Sequence, residues 1–267
     1  PLNKFFYVQK ELLNNDNSRA MSIYLHPIYF SQVIIIGFCI NYYFNKSYFK
    51  RNIYNLVFLF ALYTTKTRGA WIIFGVLFVL SILSKSRNRQ KLIKKSNLLF
   101  SAIFISVLVA VNLKFDILAS VFERFGQLKG GASMGQRTEA VNYILNQFLH
   151  SSWIRKLIGH GVLGTSHQLS KVTFYYNDFV ATDNQWVSWL YNNGLIFVAF
   201  IIAFTIYAIY LYVKTKDNIV RFMVTIYLAY LGLSFFVEIG SAFAGNLFLY
   251  IPIGYLLRQN IKERSLS

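Results

Sequence analysis

Residues 194–213, GLIFVAFIIAFTIYAIYLYV, form an apolar run that carries no charged side chain. A helix rises about 1.5 Å per residue, so a run of this length is close to the roughly 30 Å hydrocarbon core of a bilayer. Comparable apolar runs occur along most of the chain. The sequence therefore predicts an all-α fold, a polytopic membrane helix bundle.

About seven apolar segments are predicted to span the membrane. Several of them are short, so tilts and half-spans are expected. The chain begins with Pro1 and shows no cleavable signal pattern, so we expect it to be the C-terminal part of a longer protein. The predicted spans cover residues 28–44, 48–65, 70–83, 96–113, 194–213 with a backward extension over 186–191, 219–236 and 242–257.

The composition is typical of a membrane protein and argues against nucleic-acid binding. Hydrophobic residues make up 55% of the 267 positions and charged residues 14%, whereas soluble domains carry about 25% charged residues. The net charge of +17 comes from cations in short runs between apolar segments, which is the pattern of cytoplasmic loops. Cys39 is the only cysteine, which excludes an intrachain disulfide and a cysteine-based metal site.

The basic loops predict the orientation in the membrane. Loops 46–51, 85–95, 214–221 and 258–264 all fall on one side if the polar bend at 65–69 reverses the chain. If residues 48–83 formed one continuous helix, the two most basic loops would face opposite compartments. We therefore predict a reversal at this bend. The segments then predicted to lie outside are residues 1–22, 66–69, 114–184 and 238–241.

The predicted organisation is one integral membrane domain with one large loop. Residues 1–113 contain an N-terminal outside segment and spans 1–4, residues 114–184 form an extracytoplasmic catalytic loop, and residues 185–267 contain spans 5–7. Within the loop, residues 138–149 have apolar positions at helical spacing, so we predict an amphipathic helix lying at the membrane surface. Residues 130–133 before it are predicted to form a flexible turn.

Three charged residues could together handle a lipid-linked phosphate. Two guanidinium groups, from Arg68 and Arg137, can neutralise a diphosphate without a metal. Arg68 lies in a short outside turn, where an arginine either snorkels to the headgroups or has a function. Arg137 is predicted at a helix start, where free amides also favour anions, with an ordinary solvated helix residue as the alternative. Asp183 precedes a predicted span, as an N-cap or as a general base for an acceptor hydroxyl.

Four further residues are candidates for substrate binding. His160 and His167 lie in the loop without the spacing of metal ligands, so surface or packing roles compete with binding and no metal site is predicted. Trp186 could stack on a sugar or anchor the chain at the membrane interface. Glu238 faces the same compartment as Asp183, with a plain interfacial carboxylate as the alternative. Because nucleotide-binding motifs are lacking, we expect a donor activated beforehand and no cofactor.

Three motifs resemble the O-antigen ligase and O-antigen polymerase superfamily. The first is TTKTRGAW at 64–71, the second is LIGHG at 157–161 after Arg137, and the third is TDNQWVSWLYNNGL at 182–195. Their order and spacing carry the resemblance, which covers the chain from about His26 to its end. It implies a GT-C-like membrane glycosyltransferase that uses polyprenyl-diphosphate-linked glycan, without a nucleotide sugar or a metal.

The resemblance also implies residue roles and partners. Arg68 and Arg137 would bind the diphosphate, and Asp183 occupies the position at which the ligases typically carry His. An aspartate there favours a polymerase of repeat units over a ligase. The implied partners are a polyprenyl-diphosphate-linked oligosaccharide donor and acceptor, membrane lipids and a chain-length regulator protein.

Our main hypothesis from the sequence is a polymerase that builds capsular polysaccharide, exopolysaccharide or O-antigen from lipid-linked repeat units. One alternative is a ligase that transfers the glycan to another acceptor. The other is a transporter of lipid-linked sugar, which predicts polar groups and discontinuous helices at mid-membrane. The predicted spans carry few such groups, so the polar chemistry is expected at one face.

Overall fold

The computed structural model describes residues 27–86, 132–172, 181–238 and 243–265. Regular structure in these ranges is entirely helical, which confirms the predicted all-α class for this part of the chain. The helices, numbered here in chain order, are α1 Pro27–Phe44, α2 Tyr48–Thr64, α3 Arg68–Ser86, α4 Ala132–Leu149, α5 Trp153–Ile158, α6 Gly164–Leu169, α7 Gln185–Lys214, α8 Asn218–Leu233 and α9 Phe243–Ser265.

Where the structure describes them, the predicted apolar segments lie on helices, except that Thr65 and residues 234–236 are in turns. Segment 96–113 and the outside segment 1–22 fall outside the described residues. Two helices, Pro27–Phe44 and Gln185–Lys214, are long and apolar enough to cross a membrane by their length and composition. A count of seven spans stays a prediction.

The polar bend between α2 and α3 reverses the chain, as the basic loops predicted. Lys66 has a positive φ of 50° in this bend. A Cβ on Gly37 of α1 would contact the ring of Phe58 on α2, and Phe38 packs against Phe74 on α3 with ring centroids 4.7 Å apart. Residues before and after the bend thus meet neighbouring residues of α1. The two helices run past α1 in opposite directions.

Helix α8 is the centre of the described bundle, because α1, α3, α7 and α9 all pack against it. Tyr227 and Tyr230 of α8 are fully buried. The Tyr227 hydroxyl lies 3.0 Å from Thr205 Oγ1 and donates to the Ile201 carbonyl at 3.2 Å. The Tyr230 hydroxyl donates to Asn246 Oδ1 at 3.3 Å. A buried hydroxyl without a partner is costly, so these bonds favour one packing of α8 against α7 and α9.

Helix α7 is broken at Gly194, and residues that follow α5 bond to the backbone next to this break. Gly194 has φ 77° and ψ −179°, a conformation outside the helical region. The Tyr191 and Asn192 carbonyls, within one turn before the break, accept hydrogen bonds from the backbone N–H groups of His160 and Gly161, each at 2.9 Å. Buried backbone carbonyls need such partners. The break therefore serves as the attachment point for the segment after α5.

Gly194→Ala is expected to lower the free energy of unfolding by about 2–4 kcal/mol, because φ 77° strains any L side chain. The added Cβ would also collide with the Leu157 backbone carbonyl. Thermal unfolding of the detergent-solubilised protein measures the effect. The matched control is Gly135→Ala, since a Cβ there meets open space and alanine favours the helix. Equal melting temperatures for the two variants would contradict the packing described here.

The amphipathic helix predicted over 138–149 exists, but it is longer and its apolar face is covered by protein. Helix α4 starts at Ala132, so the turn predicted over 130–133 is wrong for its last two residues. Ala140, Ile144 and Phe148 are buried in one cluster with residues of α6 and α7. This face therefore packs on the bundle, and the location of α4 at the membrane surface stays a prediction.

Apart from Leu149 at the end of α4, which is 65% exposed, the uncovered apolar side chains of this region lie on and just after α5. Trp153 is 73% exposed, Ile154 69% and Ile158 63%. Val162 and Leu163, in the turn that follows, are also exposed. Apolar surface left open in one place commonly faces a membrane or a partner. The short helix α5, which the sequence did not predict, is thus the part of the described loop that offers an apolar surface.

Candidate active site

Arg137 and Asp183, two of the predicted site residues, form an ion pair. Arg137 Nε lies 2.8 Å from Asp183 Oδ2, with the two side chains 44% and 22% exposed. The contact joins α4 to the segment before α7, across 45 intervening residues of sequence. Because the contact uses Nε, the two terminal amino groups of the guanidinium remain for a second anion. This pair is the central feature of the candidate site.

Asp183 is held in a conformation that few non-glycine residues adopt. Its φ is 49°, in the left-handed region, where Asp and Asn are tolerated better than other residues. Its neighbour Asn184 is the N-cap of α7, and its side chain accepts from the N–H groups of Trp186 at 3.0 Å and Val187 at 3.3 Å. The prediction that Asp183 could be the N-cap is therefore wrong, and its carboxylate contacts Arg137 instead.

A second carboxylate, Glu238, lies beside Asp183 and is linked to it through Thr182. The Thr182 N–H donates to Glu238 Oε2 at 3.2 Å, and Thr182 Oγ1 lies 3.4 Å from the same oxygen. The Ser188 hydroxyl, from the first turn of α7, lies 2.9 Å from Thr182 Oγ1 and is near enough to the Glu238 side chain to lower its pKa. Thr182 and Ser188 are fully buried. These contacts fix the carboxylate after α8 against the start of α7.

The pKa of Glu238 is raised above its ordinary value, mainly because burial disfavours the ionised carboxylate. The hydrogen bonds from Ser188 and Thr182 oppose this rise, while the nearby Asp183 charge adds to it. A carboxylate with a raised pKa is a stronger base, which suits a general base near neutral pH. Among the predicted site residues, Glu238 thus has the environment of a proton acceptor.

Arg68 lies at the same end of the bundle as this carboxylate pair. It is the first residue of α3, and a Cβ added to the next residue, Gly69, would meet the ring of Phe236. Phe236 is two residues before Glu238 in the chain. The start of α7 is fixed to the same segment, because the Gln185 N–H donates to the Ser234 carbonyl at 2.9 Å. The start of α3, the start of α7 and the end of α8 therefore meet here.

Arg137 does not occupy the position in its helix that the sequence predicted. It is the sixth residue of α4 rather than the first. The unsatisfied amides of a helix lie in its first turn, and their effect on anions falls off within that turn. The predicted help from a helix start is therefore wrong for Arg137. Its anion affinity must come from the guanidinium itself.

The remaining candidates lie in three other surroundings. His160 Nδ1 lies 3.1 Å from the Tyr191 carbonyl, and its ring stacks on the Tyr191 ring at 4.0 Å, whereas His167 on α6 is exposed. The Trp186 indole stacks on Phe235 at 5.1 Å. In the described ranges no three His, Cys, Asp or Glu side chains are grouped as metal ligands. Sugar binding by His160, His167 and Trp186 stays a prediction.

Two residues of the site were missed by the sequence analysis. Thr182 and Ser188 both stand inside the quoted 182–195 motif, but their importance comes from contacts with Glu238, about fifty residues away in the chain. Asp183, next to Thr182, was predicted as a site residue because a carboxylate can take part in catalysis, whereas a threonine more often has a packing role.

Comparison with known proteins identifies the family. The family model described as O-antigen ligase matches residues 53–202, which is more than half of the chain. No curated protein and no solved structure matches the chain. The matched region contains Arg68, Arg137 and Asp183, and with the apolar helices it indicates a membrane protein that acts on lipid-linked glycans. This chain belongs to the O-antigen ligase family.

Proposed function

We propose that this protein polymerises polyprenyl-diphosphate-linked oligosaccharide repeat units at the outer face of the cell membrane. The observation that carries the proposal is the Arg137–Asp183 ion pair, 2.8 Å long, next to the partly buried side chain of Glu238. Cationic and basic groups thus occur together at one end of the bundle. Transfer of a glycan from a diphosphate needs both kinds of group.

The cationic groups would act on the leaving group. As the bond between C1 of the donor sugar and the diphosphate oxygen breaks, that oxygen keeps the electron pair and the diphosphate gains negative charge. Arg137 and Arg68 would stabilise this charge, since guanidinium groups bind phosphate oxygens through paired N–H donors. Asp183, bonded to Nε, would hold the Arg137 guanidinium in position. It could also orient the acceptor.

Glu238 would act on the acceptor. A hydroxyl of the next repeat unit attacks C1 of the donor and must lose its proton. The raised pKa of Glu238 makes it the stronger base of a pair in which Asp183 is already bound to Arg137. We therefore propose Glu238 as the general base that takes the proton of the acceptor hydroxyl, in place of Asp183, which the sequence suggested for this role.

The test of the function is the product made by the purified protein from a synthetic polyprenyl-diphosphate-linked repeat unit. A polymerase gives a ladder whose steps are one repeat unit long. A single transferred unit in the presence of a second type of acceptor, without a ladder, would contradict polymerisation. Recovery of unchanged substrate on both sides of a vesicle membrane would instead indicate transport.

Ligation is the second candidate, and the family description itself favours it. In that case the same groups would bind the diphosphate, but the accepting hydroxyl would belong to a lipid core, a protein or a wall polymer. Asp183, where the ligases that the chain resembles carry His, is the residue that favours polymerisation. The product assay with Asp183→His tests whether this residue decides between polymerisation and ligation.

The proposal requires the α4–α6 region to lie outside the cell and the α7–α8 connection inside. Asn142→Cys, on an exposed position of α4, is expected to react with a membrane-impermeant maleimide on intact cells. Lys216→Cys, exposed between α7 and α8, is expected to react only after the cells are opened. Cys39 is buried and should not interfere. Equal labelling of both positions in intact cells would contradict this orientation.

A further inference from the structure

A polar pocket lies beside the end of α4 and does not include the Arg137–Asp183 pair. Its volume is about 530 Å³, and its lining includes Gln147, His150, Ser151, Arg155, His160 and Gln168. Gln147 follows Arg137 by ten residues on the same helix. At about 1.5 Å per residue, the two positions are roughly 15 Å apart along the helix axis. The pocket is thus close to the candidate active site without being part of it.

Among the described residues, several polar groups of the pocket have no partner and could contact a ligand. Within the described part of the chain, the Arg155 guanidinium and the Gln147 amide make no hydrogen bond or ion pair. His150 Nδ1 lies 2.9 Å from the Asn146 carbonyl, so it donates there and leaves Nε2 for another partner. His160 is fixed between Ser151 Oγ, 2.9 Å from Nε2, and the Tyr191 carbonyl.

The charge of the lining selects the class of ligand. The pocket has one permanent cation, Arg155, and two imidazoles, and none of its described lining residues is Asp or Glu. Arginine binds a carboxylate or a phosphate in a planar fork. The amide, imidazole and hydroxyl groups around it are donors and acceptors at close spacing, which suits a ligand with several hydroxyl groups. An acidic saccharide combines both features.

We infer that this pocket binds an acidic sugar of the lipid-linked glycan, with Arg155 on its anionic group. This inference rests on the proposed function, because it places the glycan on the same loop as the diphosphate site. A separation of roughly 15 Å along α4 corresponds to a short oligosaccharide extending from its diphosphate. The pocket would then select repeat units that carry a negative charge at a fixed distance from the bond that breaks.

The experiment measures binding of a trigalacturonic acid to the detergent-solubilised protein by saturation-transfer NMR. The comparison ligand is its methyl ester, which keeps the shape and loses the charge. We expect the acid to bind at least about tenfold more tightly than the ester, and Arg155→Gln to remove that difference. Galactose 6-phosphate is a parallel probe that distinguishes a phosphate from a carboxylate. Binding of either acid through Arg155 supports the pocket.

The matched control is Lys156→Gln, which removes one cation from the neighbouring position of α5. Its ammonium lies over the Trp153 ring instead, 5.5 Å from the centroid, and does not line the pocket. Equal losses in Lys156→Gln and Arg155→Gln, or equal affinity for acid and ester, would overturn the inference. Arg137→Gln should bind the acid normally. Failure of glycan transfer with retained Arg155-dependent binding would therefore contradict the proposed function and leave the pocket standing.

Discussion

Arg137→Gln is expected to slow glycan transfer by about 10²–10³-fold, because removal of one preorganised donor to developing charge typically has an effect of this size. The substitution removes the cation that is bound to Asp183 at 2.8 Å. The rate of lipid-linked repeat-unit consumption by purified protein measures the effect. We expect a loss of similar size for Arg68→Gln, since its cation lies at the same end of the bundle.

Three further variants separate this role from a general loss of structure. Lys156→Gln removes a cation of the same loop that has no contact with the ion pair, and it should transfer glycan at the normal rate. Asp183→Asn should reduce the rate by misplacing the guanidinium. The double variant Arg137→Gln with Asp183→Asn should lose much less than the product of the single losses, as expected for residues in contact. Full activity of Arg137→Gln would remove it from the site.

Glu238→Gln is expected to reduce transfer by about 10²–10⁴-fold, the usual contribution of a positioned general base. The amide keeps the shape of the side chain and can still accept from the Thr182 N–H. It cannot take the proton of the attacking hydroxyl. Transfer rates at several pH values distinguish a base from a group that only supports the fold.

The direction of the pH dependence follows from the raised pKa of Glu238. A base must be ionised, so the activity should fall as the pH drops through this raised pKa, at a higher pH than for an exposed glutamate. Stability behaves in the opposite way. The Glu238 pKa is higher in the folded state than in the unfolded state, so the protonated side chain favours folding. This stabilisation is complete when the pH is below the unfolded-state pKa, and it is lost as the pH rises through the folded-state pKa. Glu238→Gln should therefore melt no lower than the parent at neutral pH. A large loss of melting temperature would indicate a structural role.

The class of fold was predictable because it depends on local composition. Long apolar runs such as 194–213 predict helices whatever their neighbours are, and the reversal at Lys66 followed from the distribution of charged loops. The family followed from motif order. These features are properties of single segments of the chain or of their sequence order, and the helices α1, α2 and α3 agree with them.

The contacts of the site were not predictable in the same way. The Arg137–Asp183 pair depends on how α4 packs against α7, and on the left-handed backbone of Asp183. The link between Thr182 and Glu238 depends on the packing of α8 against α7. The position of Arg137 was misjudged because the apolar pattern begins only at Ala140, after Thr138, a residue that commonly caps a helix, whereas the helix extends back to Ala132. Gly194 was visible in the sequence, but its close approach to the Leu157 carbonyl was not.

The most direct measurement of the central claim is an experimental structure of the protein with a polyprenyl-diphosphate-linked glycan bound. We expect diphosphate oxygens within about 2.7–3.2 Å of guanidinium nitrogens from both Arg68 and Arg137. We also expect the accepting hydroxyl beside Glu238. A diphosphate bound at the opposite end of the bundle, or held by neither arginine, would contradict it.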